Sequence, residues 1–512
     1  MKLPTSMDKL LPSIERSQPE SEWIHTGSVT GMYGITASVK DFDEVLDWQE
    51  HRRELTQGYY RLIHPPQVQA FKARLEAKYP GFTAVLFCSG AWALKELREL
   101  LLVTQRELPI CEAETFLDQL TAGSAYIYAL EEQGIEVGIA FLEDETLAKE
   151  LHERNRRRGG AISTRNVDVL MGTVSTVLPS AELIAETADQ LKGMEEAEFV
   201  SFYPSGMAAV TAVLDIALTP EHSHMLVMGN VYRDTHLLLE EQVWAGREVS
   251  CDFLDTHDLQ GLAERVYEDA VAGVLIETIT NPLIEIPNLP AIAALCRDAG
   301  KPLLVDSTMA GPLNACPLAL GATVVVHSTS KYISGSNTHG GGIALSSDPE
   351  WMKKLEAYQR RFGLQLSPLD LPTLAAGIET YPERMLRFNR NGEALAEMLR
   401  QHPAVETVYY GNQGRPEWLK GLASVVSCDL KEPSLDKVAT FFDAPLPGVI
   451  KAPSLGSDQT LFCPYVLLAY YDKSDEYLAE CNLSKTLLRF AAGCEEDFST
   501  VLRGISEGLD LV

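Results

Sequence analysis

The sequence has no long apolar run, little positive charge for its size and no pair of cysteines in C-x-x-C spacing. Over 512 residues, 43 Lys and Arg stand against 72 Asp and Glu, and the formal net charge is −29. This excess of negative charge repels polyanions, so neither nucleic acid nor an anionic membrane surface is an expected partner. The nine scattered cysteines favour a reducing compartment over a disulfide framework or a zinc site, and no metal is expected.

The first residues, MKLPTSMDKLLPSIERSQPESEW, lack the apolar core of a signal peptide. No stretch of the sequence is long and apolar enough to span a bilayer. We therefore expect a cytoplasmic protein. The hydrophobic content of 46% is ample for large buried cores, and a chain of this length is expected to form roughly two to four domains.

The order of predicted elements divides the chain into three parts. Residues 180–345 alternate amphipathic helical segments with short apolar strands, a pattern typical of a mostly parallel sheet covered by helices. After about residue 375 the pattern changes to a long helix followed by mixed strands and helices, which predicts a smaller α+β domain. The predicted domains are an N-terminal segment 1–175, a large domain 176–375 and a small domain 376–512.

Two opposite charges follow neighbouring strand candidates. Asp306 ends the run PLLVDST, and Lys331 comes directly after TVVVHSTS. Because active sites of open α/β sheets lie at the carboxyl ends of strands, both side chains are candidate site residues. A buried structural ion pair at the rim of the sheet is the alternative interpretation.

A phosphate site is indicated near the same edge. In YPSGMAAVTAVL, small residues open a helix directly after a strand, and backbone N–H groups at such a helix start favour an anion. Ser328 and Ser330 precede Lys331 and add two hydroxyl donors. A lysine, a carboxylate and a phosphate site together are what pyridoxal phosphate requires.

Seven motifs carry a family resemblance. In chain order they are YPSGMAA, YRDT, ETITNPL, VDST, HSTSKYISG, APSLGSDQTL and LLRFAAGCEE. Together they resemble the Cys/Met-metabolism enzymes of pyridoxal phosphate fold type I, the group of cystathionine γ-synthase, cystathionine γ-lyase and methionine γ-lyase. The resemblance runs from about Tyr59 to the C-terminus. It implies an α/β fold with a mostly parallel sheet flanked by helices, a smaller C-terminal α+β domain and an N-terminal extension.

The resemblance also implies roles for individual residues. Lys331 would bind the cofactor covalently and later move protons, Asp306 would hold the ring nitrogen protonated, and Tyr232 would stack on the ring and assist proton transfer. The remaining residues implied to bind the cofactor are Gly206, Met207, Asn281, Thr308, Ser328 and Ser330. Arg489, with Ser454 and Asn281 beside it, would clamp the substrate carboxylate, a task suited to a bidentate guanidinium.

The family resemblance extends to assembly. In the family, a Tyr-x-Arg segment reaches the phosphate of the neighbouring subunit, and GYYRLIHP offers Tyr59 and Arg61 for that role. The resemblance therefore implies a homodimer or homotetramer with shared active sites.

The N-terminal segment contains a partial internal repeat. LEAKYPGFTAVLFCSGAWALKEL aligns without gaps on LKGMEEAEFVSFYPSGMAAVTAV at an offset of 116 residues. The second copy leads into the other cofactor motifs, so we assign the phosphate site to Gly206 rather than to Gly90. Convergence of two strand–helix units is the alternative. An insertion of this kind most resembles the elongated cystathionine γ-synthases of fungi.

Two other stretches invite functional readings that we do not favour. RNRRRGG, residues 154–160, is interpreted as a solvated loop or a subunit contact rather than an anion site. HGGG, residues 339–342, has no G-x-S-x-G partner motif, so we expect it to let the backbone pass near the cofactor. The family's usual His after Gly335 is absent, because Ser336 and Asn337 follow.

The expected reaction is γ-replacement or γ-elimination on an amino acid that carries a leaving group at Cγ. Pro453 stands where the short enzymes of the family usually have Glu, which favours a synthase. A γ-lyase acting on an unusual acylated or halogenated amino acid is the first alternative. A non-catalytic subunit that keeps the fold is the second.

Overall fold

The computed structural model describes Phe42 and residues 66–512, apart from 114–116, 118, 133, 173–176, 242, 245–246, 336, 338–339, 412–413 and 472. Its main sheets have four, seven and five strands. They are formed by successive parts of the chain, which we call the N-terminal unit (66–172), the large domain (177–370) and the small domain (371–512).

The N-terminal unit consists of a four-stranded sheet and the helices that pack on it. Its helices are α1 (Pro66–Lys78), α2 (Gly90–Val103), α3 (Glu145–Arg158) and α4 (Thr164–Leu170). Its strands are β1 (Thr83–Phe87), β2 (Ile110–Ala113), β3 (Ala125–Glu132) and β4 (Ile135–Leu142). The strand order is β1-β4-β3-β2. The segments that align in sequence at the offset of 116 form the same structure, a strand followed by a serine-capped helix.

The large domain contains the seven-stranded sheet. Its helices are α5 (Ala181–Glu195), α6 (Gly206–Ala217), α7 (Arg233–Leu239), α8 (Leu259–Arg265), α9 (Leu289–Ala299), α10 (Gly311–Asn314) and α11 (Pro349–Phe362), with a 3-10 turn at Pro317–Leu320. Its strands are β5 (Phe199–Tyr203), β6 (His224–Met228), β7 (Val243–Trp244), β8 (Arg247–Glu248), β9 (Ser250–Leu254), β10 (Val271–Glu277), β11 (Leu303–Asp306), β12 (Val324–Ser328) and β13 (Gly342–Ser346).

The strand order places the candidate residues at one edge. The order is β5-β13-β12-β11-β10-β6-β9, and β13 runs in the direction opposite to that of the other six strands. The predicted mostly parallel sheet is therefore confirmed. β6, β10, β11 and β12 are adjacent and parallel, so their carboxyl ends meet along one edge of the sheet.

The small domain has a five-stranded sheet of order β14-β15-β18-β17-β16. Its helices are α12 (Leu371–Gln401), α13 (Leu435–Asp443), α14 (Tyr465–Ala469), α15 (Asp475–Glu480) and α16 (Ser499–Leu509), and its strands are β14 (Val405–Tyr409), β15 (Val425–Leu430), β16 (Val449–Lys451), β17 (Thr460–Pro464) and β18 (Leu488–Ala491). The boundary predicted near residue 375 falls in the first turns of α12, and the three-domain division stays a proposal. In the described part of the chain, no helix combines the length and apolarity that crossing a membrane requires.

Candidate active site

Lys331 lies in the turn after β12, where the small domain reaches the large one. Its Nζ donates a hydrogen bond to Ser454 Oγ at 3.0 Å. The loop around Ser454 approaches this closely because Gly456 has no side chain: a Cβ there would lie 2.6 Å from the carbonyl carbon of Lys331. The backbone of Gly456 is also left-handed, with φ of +71°, a conformation that favours glycine.

The environment of Lys331 makes its amine reactive. Burial, and then the nearby positive charge of Arg489, lower the pKa of Lys331 to about 8. Both effects disfavour the ammonium form. More of this amine than of an ordinary lysine is therefore unprotonated near neutral pH, and the unprotonated form is the one that attacks a carbonyl carbon.

Arg489, on β18, is buried and contacts groups from both domains. Its guanidinium donates to Asn281 Oδ1 at 3.3 Å and to the Ser454 carbonyl at 2.9 Å, and lies 4.3 Å from the ring centroid of Tyr465. Asn281 in turn donates to Tyr465 Oη at 2.9 Å. Within the described residues, no carboxylate forms an ion pair with Arg489. A buried guanidinium in this state suits a carboxylate ligand.

Two buried carboxylates end neighbouring strands. Glu277 and Asp306 are register partners at the ends of β10 and β11. Burial raises the pKa of both, and the charge of Asp306 raises the pKa of Glu277 further. Two acids side by side favour a cationic partner, such as a protonated ring nitrogen. Sequence reasoning missed Glu277, although it ends a strand in ETITNP as Asp306 ends the next one.

The same acids hold Tyr232 and Thr308. Glu277 accepts a hydrogen bond from the backbone N–H of Tyr232 at 2.6 Å, and Asp306 accepts one from the N–H of Thr308 at 2.9 Å. The Tyr232 hydroxyl donates to Asp234 Oδ2 at 3.3 Å. Tyr232 is therefore fixed at its backbone and at its hydroxyl.

The predicted phosphate end is built around Gly206, the first residue of α6. A Cβ at this position would lie 2.7 Å from the Cβ of Ser328, so only glycine leaves the cradle open. The backbone N–H of Ser328 donates to Thr308 Oγ1 at 2.8 Å. The Ser330 hydroxyl bonds to the backbone N–H and carbonyl of Gly341, at 3.1 and 3.3 Å, so it fixes the lysine turn. Its contact with phosphate stays a prediction.

The structure brings most of the predicted residues together. Direct hydrogen bonds join Lys331, Ser454, Arg489 and Asn281. Glu277 accepts a hydrogen bond from the Tyr232 N–H and lies beside Asp306, which accepts one from the Thr308 N–H. Beyond them, Met207 accepts a hydrogen bond from Thr235 at 3.5 Å. Tyr59 and Arg61 lie outside the described residues.

The interpretation of RNRRRGG as a solvated loop is wrong. It forms the end of α3 and lies against the large domain, where Arg154 and Arg158 are 7% and 0% exposed. Sequence reasoning also missed Tyr465, whose ring packs against the guanidinium of Arg489. Nothing in PYVLLAYY distinguishes this residue from an ordinary core residue.

The described residues fit the cofactor that the resemblance implies. Pyridoxal phosphate has an aldehyde, a basic ring nitrogen and a phosphate. The site offers an amine of lowered pKa, two buried carboxylates, and a cradle that a Cβ at Gly206 would fill.

Comparison with known proteins gives the same assignment. The family model described as Cys/Met metabolism PLP-dependent enzyme matches residues 180–510. The chain is 31% identical over 328 residues to cystathionine gamma-lyase of Bacillus subtilis, which covers 62% of this chain and 83% of that protein. It is 29% identical over 332 residues to chloroplastic cystathionine gamma-synthase 1 of Arabidopsis thaliana. That match covers 63% of this chain and spans only 58% of the plant protein's length.

A solved structure agrees with these relatives. Cystathionine gamma synthase from Xanthomonas oryzae pv. oryzae, in complex with aminoacrylate and cysteine, superposes with a TM-score of 0.60 at 27% identity. The superposition covers 65% of this chain and 86% of that one. The predicted fold type and cofactor class are thereby confirmed, while the N-terminal unit lies outside the family match. The chain belongs to the family of Cys/Met-metabolism enzymes that depend on pyridoxal phosphate.

Proposed function

We propose that the protein catalyses γ-replacement or γ-elimination on an amino acid that carries a leaving group at Cγ. The observation that carries this proposal is the arrangement of Lys331 and Arg489. Ser454 contacts both the Lys331 amine, whose pKa is about 8, and the buried guanidinium of Arg489, which forms no ion pair with a carboxylate of the described residues. An α-amino acid held by that guanidinium would present its amino group and Cα toward the lysine.

The residues of the chain have distinct tasks in this reaction. When bound, pyridoxal phosphate supplies an electron sink that stabilises negative charge at Cα. Lys331 would hold the cofactor, and its amine would take the proton from Cα of the substrate. Asp306 keeps the ring nitrogen protonated, and Arg489 fixes the carboxylate so that Cα faces the lysine. Transfer of a second proton from Cβ to a base such as the Lys331 amine would then expel the leaving group from Cγ with the electron pair of its bond.

Replacement and elimination differ in the last step. In replacement a thiol adds at Cγ, whereas in elimination the product leaves without a new bond. Matched relatives include proteins named as synthases and as lyases. Pro453 beside Ser454 favours replacement, and a lyase acting on an acylated or halogenated amino acid is the second candidate.

A substrate panel tests the proposal. Purified protein would be given O-acyl and O-phospho homoserines, cystathionine, methionine and γ-halogenated amino acids, with and without cysteine, and the products identified by mass. We expect a thioether product only when cysteine is present. Products independent of cysteine would favour the lyase, and no turnover of any compound would favour a non-catalytic subunit.

Borohydride reduction provides the control for the cofactor. It should fix the cofactor on Lys331, and Lys331→Ala should abolish this labelling, whereas the exposed Lys353→Ala should not. Recovery of the adduct on another lysine would contradict the assignment. Homo-oligomeric assembly, the contribution of Tyr59 and Arg61, and a cytoplasmic location stay predictions.

A further inference from the structure

The N-terminal unit repeats one side of the large-domain sheet. Its strand order is β1-β4-β3-β2, and the large-domain sheet begins β5-β13-β12-β11. In each, the second strand is antiparallel to the first and the third, and the third and fourth are parallel. Four strands with the same order and directions indicate one structural plan used twice.

Close backbone contacts recur at equivalent glycines. A Cβ on Gly138 of β4 would collide with the backbone of Ser89, and a Cβ on Gly342 of β13 would collide with the backbone of Ser205 in the same way. The sequences that start at these glycines are GIAFLED and GIALSSD. The correspondence therefore extends well beyond the first strand and helix.

The helices that follow these strands also match. α3 and α11 each have 14 residues, and Asp144 and Asp348 cap them by accepting two backbone N–H bonds. Both helices end at a glycine in the left-handed conformation, Gly159 with φ of 75° and Gly363 with φ of 60°. The repeat thus comprises at least β1–α2 and β2–β3–β4–α3.

The two copies contact each other reciprocally. The Ser205 hydroxyl donates to the Gly159 carbonyl at 3.0 Å, and the Ser89 hydroxyl donates to the Phe362 carbonyl at 2.6 Å. Correspondingly, α3 packs on α6 and α11 packs on α2. Each copy's last helix thus reaches the other copy's serine-glycine turn. Such reciprocity is the pattern of a two-fold interface between like subunits.

A second pair of contacts also joins equivalent positions of the two copies. The Thr211 hydroxyl donates to the Arg158 carbonyl at 3.3 Å, and Lys95 Nζ lies 5.6 Å from the ring centroid of Phe362. Lys95 aligns with Thr211, and Arg158 aligns with Phe362. Equivalent positions are thus in contact in both copies, although the side chains and the kind of contact differ.

Buried charges join the N-terminal unit to the large domain. Lys95 pairs with Asp215 at 3.2 Å, and Arg158 and Arg154 pair with Glu241 at 2.8 and 3.1 Å. Removing the N-terminal unit would take from Asp215 and Glu241 the cations that pair with them, which destabilises a protein. The contact is therefore a permanent one.

The first copy has lost the cofactor groups. Gly90 faces Ala129, whereas Gly206 faces Ser328. β3 and β4 are joined by residues 133–134, whereas β12 and β13 are joined by residues 329–341, which include Lys331. The first copy has no segment that would carry the lysine.

The N-terminal unit nevertheless reaches the candidate active site. Arg156, on α3 and 9% exposed, pairs with Asp234 Oδ2 at 2.9 Å. The same oxygen accepts the hydroxyl of Tyr232 at 3.3 Å. Arg156 thereby fixes the group that holds the aromatic ring expected to stack on the cofactor.

We propose that the N-terminal unit is a degenerate second subunit fused to the catalytic unit, which consists of the large and small domains. It packs on the catalytic unit as a like subunit would across a two-fold axis, and through Arg156 it positions Tyr232 of the same chain. The pairing of the two units rests on geometry alone. The effect of Arg156 on the cofactor rests on the proposed function.

The pairing is tested without the cofactor. A protease site inserted between Gly172 and Val177 would be cut in the folded full-length protein, and the mass of the product measured at 0.1 and 1 M salt. We expect the two fragments to stay together in equal amounts. Release of the N-terminal fragment, with pairing of two catalytic fragments, would overturn the proposal.

The positioning by Arg156 is tested with Arg156→Gln and Arg156→Lys, and with Arg98→Gln as control, because Arg98 is an exposed arginine of the same unit. We expect Arg156→Gln to weaken cofactor binding by about tenfold or more and to shift the pH titration of the bound-cofactor absorbance. Arg156→Lys should restore part of both, and Arg98→Gln should change neither. Wild-type affinity and titration in a folded Arg156→Gln protein would overturn this step.

Mixing separates a contact within the chain from one between chains. Arg156→Gln and Lys331→Ala chains would carry different tags, be expressed together and be purified through both tags. We expect the mixed sample to show the absorbance of Arg156→Gln alone, because the intact Arg156 belongs to the chain without the lysine. Mixed oligomers with wild-type absorbance would show that the contact is made between chains.

Discussion

Asp306 and Glu277 form a buried pair of acids whose pKa values are both raised by burial. We expect Asp306→Asn to keep the fold but to lower kcat by about 100-fold or more, because a ring nitrogen without a carboxylate partner is a poorer electron sink. Steady-state turnover and thermal unfolding measure the two effects. Glu277→Gln is the matched control: it keeps an acceptor for the Tyr232 N–H and should lose less activity. Near-normal turnover of Asp306→Asn would contradict the assignment.

Lys331 gives a pH dependence with a definite sign. Only the unprotonated amine attacks an aldehyde, and burial with Arg489 lowers the pKa of Lys331 to about 8. The rate at which cofactor-free protein takes up pyridoxal phosphate should therefore rise with pH, with a midpoint near pH 8. Arg489→Met removes the nearby positive charge, so the midpoint should move to higher pH. A wild-type midpoint close to the ordinary lysine pKa would contradict this account.

Sequence alone predicted the residues that end strands and failed for those that depend on packing. Lys331 and Asp306 follow apolar runs, so their place at one edge followed from the pattern. Arg156 was missed because its partner, Asp234, belongs to another unit of the chain. A basic cluster in an acidic chain reads as solvated unless the opposing carboxylates are known.

At the level of elements, the two serine-glycine turns provide a matched pair of sites. A Cβ at Gly206 would lie 2.7 Å from the Cβ of Ser328, and a Cβ at Gly90 would lie 2.5 Å from the Cβ of Ala129. Both Gly206→Ala and Gly90→Ala should lower the melting temperature, because neither turn has room for a methyl group. Gly206→Ala alone should weaken cofactor binding. Equal loss of cofactor affinity in both variants would contradict the assignment of phosphate to α6.

The elements themselves were largely predictable. Alternating helical and strand patterns marked β5, α6, β10, β11 and β12, and the offset of 116 marked β1 and α2 as a second copy of β5 and α6. The match of β4 and α3 with β13 and α11 was not found, because the loop that carries Lys331 is missing from the first copy and breaks the alignment. The strand register and the reciprocal contacts between the copies reveal this correspondence.

At the scale of the whole molecule, the buried ion pairs should couple the stability of the two copies. Cofactor binding stabilises the folded state of whatever unfolds together with its site. We expect pyridoxal phosphate to slow hydrogen exchange in Ala125–Glu132 and Ile135–Leu142 of the N-terminal unit, measured by mass spectrometry. The Lys331→Ala protein should show little of this protection. Protection confined to the large and small domains would show that the units open independently.

The division into three parts that the sequence predicts stays a proposal, and the relation between the parts was not visible in the sequence. The boundary near residue 375 was predicted from the change in the pattern of helices and strands. The N-terminal segment offered only the alignment at 116 residues, which sequence could not tell from convergence. Contacts such as that between Lys95 and Asp215 are made across 120 residues of chain and become visible only in three dimensions.

The reciprocal contact between Ser205 and Gly159 and between Ser89 and Phe362 has a consequence for how this protein changes over generations. In a dimer of identical chains, one codon encodes both of the residues that the two-fold axis relates, so every substitution occurs twice. In this protein the two corresponding positions are encoded by different codons, because both copies belong to one chain. Lys95 has diverged from Thr211 while Gly206 has kept its cradle, and a change that improves one half need not be tolerated by the other. Because the two copies belong to one chain, dilution cannot separate them and they are always synthesised in equal amounts.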